Sequence, residues 1–309
     1  MKNILLIAGA LIIIGGAAYY LLSQKPSDTY TKTPTTEVEV KDTNTTKTEP
    51  VEEETSKEIP KNEPTSLIGK SVNGNNLVAY HFGNGDKELL FIGGIHGGYS
   101  LNTAQLGFEL VDWFKANQNI IPKNVRVTII PVLNPDGLEK VTGSPDRFET
   151  ADVSKVESVK IAGRFNANEV DLNRNFDCEW QPTGTWQNKT VSGGDSAFSE
   201  PESKAIRSYV TENKPAAVVT WYSAAGGVYA SNCKNGTLPE TLALTNLFAK
   251  AAGYTAYEKF DYYEITGDMV NWLAGQKIPA ISVLLTDRVQ TEFNKNRAGV
   301  EAVLNYYAE

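Results

Sequence analysis

Two short runs, Val127–Val132 and Ile281–Leu285, are apolar but for Thr128 and Ser282, and they constrain the fold more than any other feature of the chain. A strand with one wet face alternates apolar and polar residues, whereas a strand covered on both faces has no reason to. Such runs predict central strands of a sheet flanked by helices. The surrounding pattern agrees. Strands are predicted over Asn76–Phe82, Glu88–Ile92, Val125–Val132, Ala217–Tyr222 and Ala280–Leu285. Helices are predicted over Asn102–Ala116, Glu200–Asn213, Pro239–Ala252, Asp268–Gly275 and Phe293–Tyr307. Alternation of the two kinds makes this an α/β domain. Ser199 is the expected cap of the second helix, with Glu202 completing a capping box and Pro201 in the first turn.

This domain occupies residues 65–309, and two zones precede it. Residues 1–25 contain a stretch from Ile4 to Leu22 without a charge. As a helix it spans roughly 28 Å, close to the hydrocarbon thickness of a bilayer. It reads as an uncleaved membrane anchor, with a cleaved signal peptide as the rival, since Gly15-Gly16-Ala17-Ala18 offers small residues for cleavage. Residues 26–64 are rich in Thr, Glu, Lys and Pro, with ten acids against five lysines and Tyr30 as the only aromatic. Such a segment cannot bury enough apolar surface to offset its ordering entropy, so a disordered linker is expected. The expected localisation is the cell membrane, single-pass, with 65–309 extracytoplasmic in the cell envelope, or secreted if the first segment is cleaved.

Composition narrows the chemistry. The chain carries a net charge of −8, a poor match to nucleic acid, which is bound by clustered positive charge. Its only histidines are His81 and His96, and its only cysteines are Cys178 and Cys233. Zinc fingers and four-cysteine clusters are therefore excluded.

Several motifs follow strands. Ile92-Gly93-Gly94-Ile95-His96-Gly97-Gly98 comes first, then Asn134-Pro135-Asp136-Gly137, taken alone a turn signal. Arg164-Phe165-Asn166-Ala167-Asn168 leads into Val170-Asp171-Leu172-Asn173-Arg174-Asn175-Phe176. Tyr263-Glu264-Ile265-Thr266-Gly267 leads into Asn271-Trp272, and Ala280-Ile281-Ser282-Val283-Leu284-Leu285-Thr286-Asp287 closes the series. In this order the segments resemble the zinc carboxypeptidases of the carboxypeptidase A type, over essentially all of 65–309. The resemblance implies a central mixed, mostly parallel sheet of about eight strands with helices on both faces, and a site at the C-terminal edge of the strands.

The family's chemistry needs two His and one Glu on zinc, with one position open for water, and a second Glu as general base. Position by position, the first ligand matches His96. The Glu ligand falls on Tyr99 or Ser100, the second histidine on Tyr222, and the base on Leu284. His81 lies before the first motif and offers no ready replacement. The groups implied to hold a substrate carboxylate survive as Asn173, Arg174 and Tyr263, with Arg164 at the oxyanion position. Arg174 either forks onto a ligand carboxylate or pairs with a core acid such as Asp171. Glu169 stands where relatives usually have Gly. Losing zinc together with both Glu leaves the formal charge of the pocket unchanged, whereas losing zinc alone would crowd two carboxylates.

The expectation is a membrane-anchored, catalytically inactive domain that binds C-terminal carboxylates of peptides or peptidoglycan stem peptides, with no cofactor. Three alternatives stand beside it. One is an active metallocarboxypeptidase with an unorthodox zinc site. Another is a serine hydrolase using Ser100 or Ser223 with His96. The last is a purely structural surface protein. Cys178 and Cys233 follow segments that should both border the site, and in an extracytoplasmic domain they are either a disulfide or two buried thiols.

Overall fold

The computed structural model describes residues 64–308. The anchor expected over 4–22 and the linker expected over 26–64 lie outside these residues, apart from Pro64. In chain order the elements are β1 (Thr65–Lys70), β2 (Asn76–Phe82), β3 (Lys87–Ile92), α1 (Leu101–Ala116), β4 (Val125–Ile130), α2 (Pro135–Thr142) and α3 (Glu157–Ala162). There follow β5 (Thr183–Trp186), β6 (Lys189–Ser192), α4 (Pro201–Asn213), β7 (Ala217–Ser223), β8 (Gly227–Ala230) and α5 (Pro239–Ala252). The last are β9 (Ala256–Tyr257), α6 (Met269–Gly275), β10 (Ala280–Leu285) and α7 (Phe293–Tyr307). Eight strands form one mixed sheet in the order β1-β2-β4-β3-β7-β10-β8-β9, and β5 and β6 form a separate hairpin. The inner neighbours β4-β3-β7-β10 run parallel.

The mostly apolar strands are central, and their side chains divide between two cores. On one face Phe91, Val219, Trp221, Ile281, Val283 and Leu285 pack with residues of α1, α5 and α7. On the other, Leu90, Ile92, Val218 and Leu284 pack with residues of α4 and α6. Each fully covered side chain of this size contributes roughly 1.5–3 kcal/mol. The second face stays open at the carboxyl ends of β3, β7 and β10, and this opening is the site.

Three local expectations are corrected. Ser199 does not cap α4. The cap position is Glu200, and the Glu200 N–H donates instead to Asn175 Oδ1 at 3.1 Å. Glu202 closes no capping box, because its carboxylate accepts from the Val72 N–H at 3.2 Å and from Asn166 Nδ2. Asn134-Pro135-Asp136-Gly137 opens a helix: Asn134 Oδ1 accepts from the Gly137 N–H at 2.8 Å and Pro135 takes the first position of α2.

His81 belongs to a polar network under α4, away from the site. Ser66 Oγ lies 2.8 Å from its Nε2 and Thr128 Oγ1 lies 3.0 Å from its Nδ1. Thr128 and Tyr209 both donate to Glu88, which pairs with Arg126 at 2.7 Å. Thr128 spends its proton on Glu88, so His81 Nδ1 donates to Thr128 and Nε2 accepts from Ser66. Burial lowers the His81 pKa to about 4, and the Glu88 charge only partly offsets this. The unfolded chain takes up the proton first, so the stability held by neutral His81 is complete above about pH 6.5 and is lost as pH falls toward 4. His81→Gln keeps a donor and an acceptor but cannot titrate. Thermal melts across pH 4 to 7 should show the variant losing less stability on acidification, by about 2–3 kcal/mol. Parallel pH curves for the two proteins would contradict this assignment.

Candidate functional site

A cavity of about 790 Å³ opens at the carboxyl ends of β3, β7 and β10. Into it the fold brings His96, Arg164, Asn173, Arg174, Tyr222, Tyr263 and Leu284, residues from five separate stretches of chain. The register explains the grouping: parallel pairing sets Leu284 of β10 beside Tyr222 of β7, while His96 follows the end of β3 one strand over.

The turn after Val170 holds the cations. Asp171 is fully buried and ends the approach to a single helical turn, Leu172–Arg174. Its Oδ1 accepts from the Asn173 N–H at 3.1 Å and its backbone carbonyl accepts from the Arg174 N–H at 2.8 Å. Arg164 grips Asp171 Oδ2 through Nε at 2.9 Å and Nη2 at 2.8 Å, and Trp186 stacks 4.5 Å from its guanidinium. Burial opposes the Asp171 charge, but Arg164, with help from His96 and Arg174, holds this carboxyl well below the usual range. The alternative ion pair foreseen for Arg174 with Asp171 is thus made by Arg164, because Arg164 and not Arg174 faces the acid.

Arg174 has a different environment. It is 1 % exposed, yet its Nη1 and Nη2 donate only to the backbone carbonyls of Asn173 at 2.6 Å and Thr185 at 2.7 Å. Among the described residues it has no carboxylate within ion-pair distance and its Nε has no partner. The Tyr263 ring lies 5.9 Å from its guanidinium. Two glycines permit this enclosure. A Cβ on Gly184 would meet Arg174 Cδ at 2.7 Å, and one on Gly267, whose φ is +62°, would meet the Arg174 carbonyl oxygen at 2.2 Å.

Asn173 is committed within the protein. Its Nδ2 donates to Asp268 Oδ2 at 2.8 Å, and its Oδ1 accepts from Tyr222 Oη at 3.1 Å. Only the second Nδ2 hydrogen remains for a ligand. Asp268 caps α6 through the Asn271 N–H at 2.9 Å, and burial raises its pKa. Sequence reading took Asp268 as a helix start and missed its place in the cavity wall. Trp186 was also missed: it sits in the β5–β6 hairpin, whose short, mostly polar strands and Gln187-Asn188 turn carry no strong sequence signal. Glu169, where relatives usually have Gly, takes a left-handed φ of 61°, at a side-chain cost of roughly 1 kcal/mol.

The residues present do not fit a His/His/Glu zinc site. His96 is buried, and burial together with the Arg164 charge lowers its pKa to about 4. The Tyr222 hydroxyl donates to Asn173, and burial with the Asp268 charge pushes its ionisation well above the ordinary value, so no phenolate is offered. Tyr99 packs edge-on against Trp186 with ring centroids 4.9 Å apart, and Ser100 Oγ is buried without a partner. Leu284 supplies no base. Among the described residues no group of three or more His, Cys, Asp or Glu side chains converges as a metal requires. Neither serine pairs with His96: Ser223 Oγ donates to Asn102 Oδ1 at 2.9 Å.

The sequence model described as zinc carboxypeptidase matches residues 51–296. The chain belongs to that family. Human carboxypeptidase N catalytic chain is 29 % identical over 185 residues, 55 % of this chain and 37 % of its own length. Mouse carboxypeptidase D is 24 % identical over 196 residues, 59 % of this chain and 12 % of its own. The chain therefore spans well under half the length of these relatives. Among solved structures, murein-tripeptide amidase MpaA of Escherichia coli O157 aligns with a TM-score of 0.56 at 20 % identity, covering 78 % of this chain and 91 % of its own. Carboxypeptidase A of Helicoverpa armigera aligns with a TM-score of 0.57 at 19 % identity, covering 79 % and 66 %. At these identities the structural likeness concerns the family fold alone.

Cys178 and Cys233 form a disulfide with Cα atoms 6.0 Å apart, and Cys233 lines the cavity. The bond ties the segment after Arg174 to the segment after β8 across 55 residues. Closing a loop of that length stabilises by about 2–4 kcal/mol. Alkylation of the native oxidised protein should find no free thiol, and reduction should lower the melting temperature by several degrees. Two alkylatable thiols before reduction would contradict the bridge.

Proposed function

We propose that this chain is a catalytically silent zinc-carboxypeptidase-like receptor for C-terminal carboxylates, held at a membrane by residues 4–22 and displayed outside the cytoplasm by the 26–64 linker. The ligand class is peptide C-termini, including the stem peptides of peptidoglycan, the kind of substrate for which murein-tripeptide amidase is named. The observation that carries the reading is Arg174: a buried guanidinium on the cavity wall whose hydrogen bonds go to backbone carbonyls and whose charge meets no carboxylate within 4 Å among the described residues. An enclosed cation without a counter-ion is costly, and a ligand carboxylate supplies the missing charge with charge-assisted hydrogen bonds. Tyr263 and the remaining Nδ2 hydrogen of Asn173 lie beside it, while Arg164 is already satisfied by Asp171. The reading of silence rests on the side chains at the catalytic positions: Leu284 cannot take a proton from water, and Tyr222 and Tyr99 are engaged elsewhere.

Calorimetric titration of the purified full-length chain with short acetylated peptides, and with the same peptides as C-terminal amides, tests the grip. Free acids should bind at least about tenfold more tightly than amides, the fold-change of one charge-assisted hydrogen bond. Arg174→Ala should remove that preference at unchanged neutral-pH fold content, and Arg174→Lys should restore it only in part, since an ammonium cannot reproduce the fork. Equal binding of acids and amides by the unaltered protein would refute the proposal.

A further inference from the structure

We infer a second anion subsite at the mouth of the cavity, formed by Arg288, and with it a ligand class: molecules that carry two carboxylates, one for Arg174 and one for Arg288. The inference rests on the carboxylate-binding reading above and deepens it from one anionic group to two.

Arg288 follows Asp287, the last residue of the final sequence motif, and lines the cavity as an exposed side chain. Its guanidinium carbon lies 4.6 Å from the Tyr99 ring centroid. The same ring lies 5.9 Å from the Arg164 guanidinium, so two cations share one aromatic ring. Only one of them is balanced. Arg164 spends Nε and Nη2 on Asp171, whereas Arg288 has no carboxylate within 4 Å among the described residues. The two acids of its own turn face other groups. Asp287 Oδ1 accepts the N–H groups of Val289 and Gln290, both at 2.7 Å. Glu292 accepts from the Thr286 N–H at 2.8 Å and the Thr286 hydroxyl at 2.9 Å, and pairs with Lys295 at 2.7 Å.

The turn that carries Arg288 is exposed but held. Asn102 of α1 is fully buried, and its Nδ2 donates to the backbone carbonyls of Asp287 at 2.8 Å and Gln290 at 2.9 Å, on either side of Arg288. Its Oδ1 accepts from Ser223 Oγ at 2.9 Å, which fixes the orientation of the amide. Ordering a long, free side chain is a main reason that surface ion pairs are weak. A backbone pinned on both sides and a guanidinium resting on a ring reduce that cost. Contact with a ring supplies no oxygen acceptor, so the fork of N–H donors is left for an oxyanion to replace water.

Calorimetric titration of the full-length protein with linear α,ω-dicarboxylic acids of increasing length, each beside its monomethyl ester, tests the subsite. At neutral pH and low salt the best-fitting diacid should bind about fivefold more tightly than its monoester, the fold-change of a favourable exposed ion pair, beyond the statistical factor of having two equivalent ends. Salt at about 0.5 M should erase this gain. Arg288→Gln should bring the diacid down to the statistical factor, and Arg288→Lys should keep part of the gain. Arg288 is exposed, and neither variant touches the buried Asn102 clamp, so both should fold. A series in which no diacid exceeds its monoester by more than the statistical factor overturns the inference. So does a gain that survives in Arg288→Gln, which would put the second carboxylate on another cation of the wall, such as Lys234 or Lys259. The monoesters keep the two levels apart. If they bind and the diacids gain nothing, the Arg174 grip stands and the Arg288 subsite falls. If the gain is lost in Arg288→Gln but carboxylate binding is untouched in Arg174→Ala, the subsite stands and the Arg174 reading falls.

Discussion

The buried ion pair between Arg164 and Asp171 is the interaction on which the site depends. Asp171 accepts from Arg164 on one oxygen and from the Asn173 backbone on the other, and its own carbonyl accepts from the Arg174 N–H. A single carboxylate thereby fixes the turn that carries Arg174, occupies the Arg164 guanidinium, and faces His96 Nε2 at 3.6 Å. Buried ion pairs contribute little net stability once desolvation is counted, and their use here is orientation. Removing either partner would leave an uncompensated charge among side chains that also form the cavity wall.

In the family's zinc site, a doubly charged metal is balanced by two glutamates. The resemblance places Tyr99 or Ser100, Tyr222 and Leu284 at three of the four protein positions, and Tyr222 is held as a neutral hydrogen-bond donor to Asn173. Arg174 on the cavity wall meets no carboxylate within 4 Å among the described residues, and Asp268 beside it is protonated more readily than an ordinary aspartate. A pocket of this kind suits an anion, as the proposed function requires.

The sequence displayed the central architecture because buried strands and amphipathic helices carry strong periodic signals. Asn76–Phe82, Pro239–Ala252 and Phe293–Tyr307 begin and end where their patterns do. Elements outside the core were harder to see. The β1 strand is a half-exposed edge whose Thr-Ser-Leu-Ile-Gly-Lys shows no clean alternation, and Asn134-Pro135-Asp136-Gly137 is as good a helix start as a turn. The site was legible where motifs name positions: of the nine residues placed by the resemblance, seven line the cavity, and Tyr99 and Ser100 do not. What it hid were partnerships. Only the folded chain shows Arg164, not Arg174, on Asp171, or Asn173 engaged by Tyr222 and Asp268, because these depend on side-chain directions that spacing does not encode.

Zinc stoichiometry tests the account most directly. The purified full-length protein, loaded with excess zinc at neutral pH and then dialysed, is assayed by elemental analysis. The account predicts well below about 0.1 zinc per chain, since losing groups that bind the metal directly costs more than the 10–100-fold typical of losing the groups that orient them. Stoichiometric zinc retained through dialysis would contradict it and return the chain to the working peptidases of its family.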